Sequence, residues 1–151
     1  MKLLMIMAAL LLAVTKSCED MPEQGLAGQV RWLEGNFMPT ISENPEEEQN
    51  KKQGKPVQRV LHIYELTTMD EATSEGTFFH DIESKLVQTV ETNKKGEFVV
   101  GLPPGRYSVF VKEEQGLFAN SFDGEGNINP VTVKEGEITR IEIDINYAAA
   151  Y

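Results

Sequence analysis

A short run of oxygen-bearing side chains has the spacing of a cation-binding loop. In the segment Asp123-Gly124-Glu125-Gly126-Asn127, carboxylate and amide oxygens occupy alternate positions. Such oxygens can wrap a hard cation such as calcium. The pattern departs from a complete calcium loop, because Ile128 stands where glycine is needed and Lys134 stands where a bidentate glutamate belongs. The segment therefore predicts either a glycine-rich β-turn or a weak metal site formed by Asp123, Glu125 and Asn127.

Aromatic side chains in a neighbouring loop offer a second kind of site. Phe118 and Phe122 lie in the loop 115–122, and flat rings exposed on a loop can stack on sugars. Protein cores also use aromatic rings, and for this reason we expect Trp32 in the core. Phe118 and Phe122 are the candidate ligand-binding residues, and core packing is the alternative interpretation.

The chain offers little that could carry out catalysis. His62 lies in an alternating segment, which predicts a surface or edge position, and a single pair such as His80-Asp81 is too common to indicate a metal or general-base site. The sequence contains no serine nucleophile elbow, no glycine-rich phosphate loop and no His-Glu-x-x-His motif. We therefore expect a protein that is not an enzyme and that uses no cofactor.

The first 17 residues have the pattern of an export signal. Lys2 provides a positive start, and residues 3–14 are apolar without interruption. Spanning a bilayer needs about 20 apolar residues, so this segment is too short for a transmembrane helix. Residues 1–17 are therefore predicted to be a signal peptide that is removed on export.

The one cysteine of the chain, Cys18, follows this signal directly. A diacylglycerol on its sulfur would remove the liability of a free exported thiol and would anchor the chain in a membrane. The stretch 12–18 resembles the signal of a bacterial lipoprotein, and Ser17 resembles the looser signals of Bacteroidetes-type lipoproteins. The resemblance implies an outer-membrane lipoprotein lipidated at Cys18, with residues 18–24 as its tether. Glu19-Asp20 resemble a surface-export tag, and a plain solvated tether is the alternative.

The charge balance limits the partners. The formal net charge is −10, and removal of residues 1–17, which hold two lysines and no acid, leaves −12. An acidic protein repels nucleic-acid phosphates and bare anionic lipid, so neither is expected as a partner. A single cysteine also excludes an intrachain disulfide framework and a multi-cysteine zinc site.

The body of the chain has the alternation of short strands. Period-2 patterns bounded by glycine, proline and asparagine predict seven strands, at residues 26–33, 57–66, 85–91, 96–100, 106–112, 131–133 and 138–145. Seven short strands with such turns favour an all-β sandwich. Residues 36–55 are too polar to bury much apolar area, so they predict a long acidic insertion loop between the first two strands.

Two groups of motifs resemble a known family. Gly28-Gln29-Val30-Arg31-Trp32, the hairpin pattern of residues 89–98 and the turn Leu102-Pro103-Pro104-Gly105-Arg106-Tyr107 are similar to those of carboxypeptidase regulatory-like domains. The resemblance implies a seven-stranded transthyretin-like sandwich over residues 25–151. These motifs form turns and fill the core, so they imply a fold and no activity.

These observations together predict a non-catalytic cell-envelope lipoprotein. It would act as a binding or structural module for an envelope or surface protein. The alternative is a carbohydrate-binding module of a surface glycan-uptake system, with exposed rings in the loop 116–122 or 77–80. The sequence does not decide between the periplasmic and the external face of the membrane.

Overall fold

The computed structural model describes residues 21–38 and 53–151, together with Glu46 and Gln49. The predicted signal peptide, Cys18 and most of the predicted loop 36–55 lie outside these residues. The strands of the described part are β1 (Gly25–Asn36), β2 (Lys55–Pro56), β3 (Val60–Glu65), β4 (Thr73–Glu75), β5 (Phe78–His80), β6 (Leu86–Glu91), β7 (Glu97–Gly101), β8 (Gly105–Glu113), β9 (Gly116–Phe118), β10 (Pro130–Val133) and β11 (Ile138–Ala150).

All seven predicted strands are present, and they form two sheets, which confirms an all-β sandwich. The predicted number of strands was too low, because β2, β4, β5 and β9 are added to the seven. Each of these four is only two or three residues long. A strand that short shows no alternation in the sequence and exists because a neighbouring strand pairs with it.

The first and last strands lie side by side in the smaller sheet. In this sheet the order is β11-β1-β2, and β7 also pairs with β1. β1 and β11 are parallel, in a register that runs from Gly25 opposite Ile138 to Trp32 opposite Ile145. The larger sheet has the order β4-β5-β9-β8-β3-β6, and β10 pairs with the start of β8.

The parallel pair gives the sandwich two distinct ends. One end, called the tether end after the tether predicted at residues 18–24, holds the start of β1, which pairs with Gly101 of β7, and the start of β8 three residues beyond β7. The far end holds Trp32 of β1, Ile145 of β11 and the last residue of β8, Glu113. At about 3.3 Å per residue, the seven steps from Gly25 to Trp32 span about 23 Å.

The main core lies between the two sheets, and a second apolar layer covers the outer face of the larger sheet. Leu26, Val30, Ile63 and Ile145 are fully buried in the main core, and Trp32 packs against it while partly exposed. The outer layer contains the buried side chains Phe79, Phe110, Ala119 and Ile128. β8 is buried on both faces for this reason, since Val109 and Val111 face the main core and Phe110 faces the outer layer. Full burial of one such side chain stabilises the fold by roughly 1.5–3 kcal/mol.

The glycines of two motifs are required by close backbone contacts. Gly28 lies where a Cβ atom would collide with the carbonyl oxygen of Ile141 in β11. Gly96 has a φ of 72°, and a Cβ there would collide with the carbonyl oxygen of Val30. The turn at Gly96 is present, but it joins β6 of the larger sheet to β7 of the smaller sheet. The expected hairpin is therefore a crossing between the sheets.

The turn before β8 is closed by a tyrosine. The Tyr107 hydroxyl donates a hydrogen bond of 2.6 Å to the carbonyl oxygen of Pro103. Leu102, at the start of the turn, is 4% exposed and belongs to the main core. The Leu-Pro-Pro-Gly-Arg-Tyr motif therefore anchors a turn on both sides, through an apolar contact and a hydrogen bond.

We expect Tyr107→Phe to lower the free energy of unfolding by about 0.5–1.5 kcal/mol, because the Pro103 carbonyl loses its donor while the ring stays buried. Urea denaturation followed by circular dichroism measures this change. Tyr64→Phe is the matched control, since the Tyr64 ring packs edge-on against Phe110 in the outer layer. An equal loss in both variants would contradict the role given to the hydroxyl of Tyr107.

Candidate functional site

The structure separates the two predicted ligand-binding rings. Phe118 is 1% exposed and belongs to the main core, where β9 pairs it with Val111. Its expected exposure is therefore wrong, because pairing with β8 places the ring between the sheets. Phe122 is 47% exposed and lies against Phe79 of the outer layer. The two rings lie on opposite faces of the larger sheet and cannot form one patch.

The predicted metal loop is closed by its own hydrogen bonds. Oδ1 of Asp123 accepts from the backbone N–H groups of Glu125 and Asn127, each at 2.9 Å. Oδ2 accepts from the Asn127 amide at 2.7 Å and from Arg106 at 3.1 Å. Hydrogen bonds from Asn127, Glu125 and Arg106 lower the pKa of Asp123 to about 2. To bind a cation, this carboxylate would have to give up some of these partners.

The described residues contain no group of three His, Cys, Asp or Glu side chains placed to share a metal ion. Glu125 lies 3.9 Å from Arg106, so the guanidinium occupies the charged side of the loop. Asn127 is 4% exposed and is used in holding Asp123. The geometry therefore favours a glycine-rich β-turn over a metal site in this loop.

A cluster at the far end, which the sequence analysis did not identify, brings together a carboxylate, a guanidinium and two aromatic rings. The Glu113 side chain is 6% exposed, and its carboxylate accepts from Arg59 Nε and from the Tyr147 hydroxyl, each at 2.7 Å. The Arg59 guanidinium lies over the Trp32 ring at 5.9 Å from its centroid. The Trp32 and Tyr147 rings meet edge to face at 5.0 Å. We call Trp32, Arg59, Glu113 and Tyr147 the far-end cluster.

Four strands or strand ends hold the far-end cluster in place. Glu113 ends β8, and Tyr147 lies in β11 where its register against β1 shifts. The backbone N–H of Arg59 donates to the hydroxyl of Thr92, a residue that is 1% exposed. The positions of all the members are thus fixed by the sandwich itself and not by a surface loop.

The far-end cluster contains an ion pair, Arg59 with Glu113, whose geometry is fixed by its neighbours. Burial and the hydrogen bond to Glu113 raise the pKa of Tyr147 to about 12, so its hydroxyl stays protonated and donating at neutral pH. Phe78 and Phe118 lie behind Tyr147, with ring centroids at 5.0 and 5.6 Å. Charge-assisted hydrogen bonds and packed rings together keep these side chains in one arrangement.

A cleft of about 650 Å³ opens next to the far-end cluster, lined by Arg59, Lys112, Glu113, Glu114, Gln115 and Tyr147. One signal in the sequence could have found it. Glu113 has the same parity as Tyr107, Val109 and Val111, so the alternation of β8 points an acid inward at the end of an apolar face. An inward acid needs a partner, which the structure shows to be Arg59.

The predicted surface or edge position of His62 is wrong as to the edge, because its strand has a neighbour on each side, and the side chain is half-buried. It lies in the interior strand β3, and its Nδ1 atom is buried with no hydrogen-bond partner in the part of the chain that is described. Burial, with the nearby charge of Lys112, lowers the pKa of His62. The imidazole is therefore held neutral beside Tyr64, and its side chain is a packing element of the sheet.

Comparison of the chain with protein-family models, with curated proteins and with solved structures finds no match. Over the residues that the structure covers, no helix has the length and apolar character needed to cross a membrane. What the protein does is therefore inferred from the two ends of the sandwich.

We expect Asp123 to titrate with a pKa of about 2, which an NMR titration of its carboxyl carbon measures directly. Because this pKa lies below the ordinary value of 3.8, the ionised side chain contributes stability above about pH 4, and the contribution disappears as the pH falls through 2. Asp123→Asn should therefore be less stable than wild type at pH 7, and the difference should disappear as the pH falls below 2. A difference in stability that stays constant with pH would show that the charge is not responsible.

Removal of one hydroxyl tests the far-end cluster. We expect Tyr147→Phe to lower the free energy of unfolding by about 1.5–3 kcal/mol, because a buried carboxylate loses a hydrogen-bond donor. Lys112→Ala, at an exposed neighbour, is the control and should change stability by less than about 0.5 kcal/mol. Equal stability of Tyr147→Phe and wild type in urea denaturation would mean that Glu113 does not depend on the tyrosine.

Proposed function

We propose that this protein is a non-catalytic, lipid-anchored module of the bacterial outer membrane that presents its far end to a partner in the cell envelope. The observation that carries this proposal is the parallel pairing of β1 and β11. It places the start of β1, next to the tether, at one end of the sandwich and the far-end cluster at the other. An anchor at Cys18 would hold the cluster on the side away from the membrane.

Gln24, the last residue of the predicted tether, is bonded to two turns of the sandwich. The Gln24 amide donates to the carbonyl of Leu102 at 2.8 Å, and its side-chain oxygen accepts from the N–H of Gly136 at 3.0 Å. The backbone N–H of Gly25 donates to the carbonyl of Glu137. Seven residue-to-residue steps lead from Cys18 to Gly25, which allows at most about 25 Å between the Cα atoms of these two residues. The domain would therefore stay close to the bilayer.

The far-end cluster supports binding in preference to catalysis. Its acid, its guanidinium and its phenol are hydrogen-bonded to one another, so none of them is poised to transfer a proton to a substrate. Such a cluster gives a rigid and already desolvated surface, which lowers the entropic cost of binding.

Exposed apolar side chains at the far end favour a protein as the partner. The last residues of β1 and β11 extend past the bulge, where Phe37 stacks on Tyr151 with ring centroids at 5.5 Å. Met38 is 51% exposed and Tyr151 is 66% exposed. Apolar side chains grouped at a surface mark an interaction site. The motifs shared with carboxypeptidase regulatory-like domains support the finer proposal of a transthyretin-like sandwich with a structural or binding role.

Membrane fractionation of cells with wild-type protein and with Cys18→Ala tests the anchor. We expect the wild type in the outer-membrane fraction. Cys18→Ala should be soluble or should keep its signal peptide, because alanine has no sulfur to which the diacylglycerol can be attached. Met21→Ala is the control and should fractionate as the wild type does. If Cys18→Ala stays in the outer membrane with its signal peptide removed, the lipid anchor is wrong.

Protease treatment of intact cells then gives the face of the membrane. Loss of the wild-type domain indicates an extracellular partner, and protection indicates a partner in the periplasm. The same treatment of lysed cells controls for intrinsic resistance of the sandwich to the protease.

A further inference from the structure

The cleft beside the far-end cluster is lined by equal numbers of cationic and acidic side chains. It is lined by two cationic side chains, Arg59 and Lys112, and by two carboxylates, Glu113 and Glu114. The whole chain carries a net charge of −10. An ionic ligand of either sign would meet a repelling group in this cleft, so the balance favours a neutral ligand.

The cleft offers donors and acceptors side by side. Among the described residues, Arg59 uses its Nε for Glu113 and its Nη1 for the Gln58 carbonyl. These contacts use two of the five guanidinium N–H groups, and the Arg59 side chain is 32% exposed, so donors remain for a ligand. The exposed side chains of Lys112, Glu114 and Gln115 add further donors and acceptors at the rim.

The N–H donors of the Arg59 guanidinium are also preorganised for binding. Its guanidinium is fixed by Glu113 on one side and by the face of Trp32 on the other. A planar donor held in this way loses less conformational freedom when a ligand binds than a free side chain does. Val60 and the Tyr147 ring give the cleft an apolar wall next to these polar groups.

We propose that this cleft binds a neutral carbohydrate. Each sugar hydroxyl both donates and accepts a hydrogen bond, which matches neighbouring donors and acceptors of opposite charge. The C–H face of a sugar ring packs on an apolar or aromatic wall. The site goes beyond the proposed function, because it adds a carbohydrate ligand to the protein partner proposed for this end of the sandwich, and it does not depend on the anchor at Cys18.

The full chain contains a single tryptophan, Trp32, which lies under Arg59 beside the cleft and reports on its occupancy. The detergent-solubilised full chain is titrated with the neutral hexasaccharides of glucose (α-1,4 and β-1,4), xylose and mannose, and with hexagalacturonate as the acidic comparator. Tryptophan fluorescence and isothermal titration calorimetry are the two readouts. We expect at least one neutral hexasaccharide to bind and hexagalacturonate to bind at least tenfold more weakly.

Variants of exposed lining residues locate the binding. Gln115→Ala and Lys112→Ala should each weaken the affinity for the neutral sugar by about 3- to 10-fold, the effect of one lost hydrogen bond. Lys134→Ala, at an exposed lysine of the tether end, is the matched control and should leave the affinity unchanged. Thermal melts of the variants confirm that the sandwich stays folded.

The proposal is overturned if no neutral hexasaccharide gives heat or a fluorescence change at 50 mM (about −1.8 kcal/mol). Tighter binding of hexagalacturonate, or equal affinity in Lys112→Ala and Lys134→Ala, overturns it as well. These outcomes leave the anchor untouched, since membrane fractionation of Cys18→Ala decides that question separately. If the chain binds sugar but is not membrane-bound, the proposal for the cleft stands and the proposal for the anchor is wrong.

Discussion

The parallel pairing of the first and last strands is the constraint on which the rest of the structure depends. Arg31 of β1 bonds Asp144 of β11 across 113 residues of chain, so closing this pair carries the loop-closure entropy of almost the whole domain. The approach is close enough that Gly28 cannot carry a side chain. Because the two strands run in the same direction, the pair also gives the sandwich its polarity, with the residues that precede β1 at one end and the far-end cluster at the other.

The strands could be predicted from the sequence because their causes are local. Alternation in β1, β8 and β11 follows directly from which face of each strand is buried. The sites depend on contacts that strand alternation does not encode, and there the sequence analysis fails. Phe118 is buried because β9 pairs with β8. The Asp123 carboxylate is taken up by hydrogen bonds from Asn127 and Glu125, and Arg106 of β8 adds one more. The parity of Glu113 was a usable signal, but its partner Arg59 lies 54 residues away along the chain.

The far-end cluster shows how a buried charge is retained in a β-sandwich. Glu113 continues the core-facing side of β8, where an isolated carboxylate would be costly. Arg59 and Tyr147 supply a charge and a hydroxyl, and Trp32 covers the guanidinium. The remaining donors and acceptors then open into the cleft, so the groups that stabilise the acid also shape the surface offered to a ligand.

The clamp formed by Gln24 has a mechanical consequence. A pull on the tether would enter the sandwich through this residue, which is bonded to the turns at Leu102 and Gly136, and would continue along β1. If a bound partner pulls on the far end, the force acts along the strands, and the hydrogen bonds between β1 and β11 are loaded together in shear. A ladder loaded in this way resists rupture far better than one that is opened from an end, bond by bond. With the anchor that we propose at Cys18, this strand order would suit the domain to carry tension between the membrane and a partner bound at its far end.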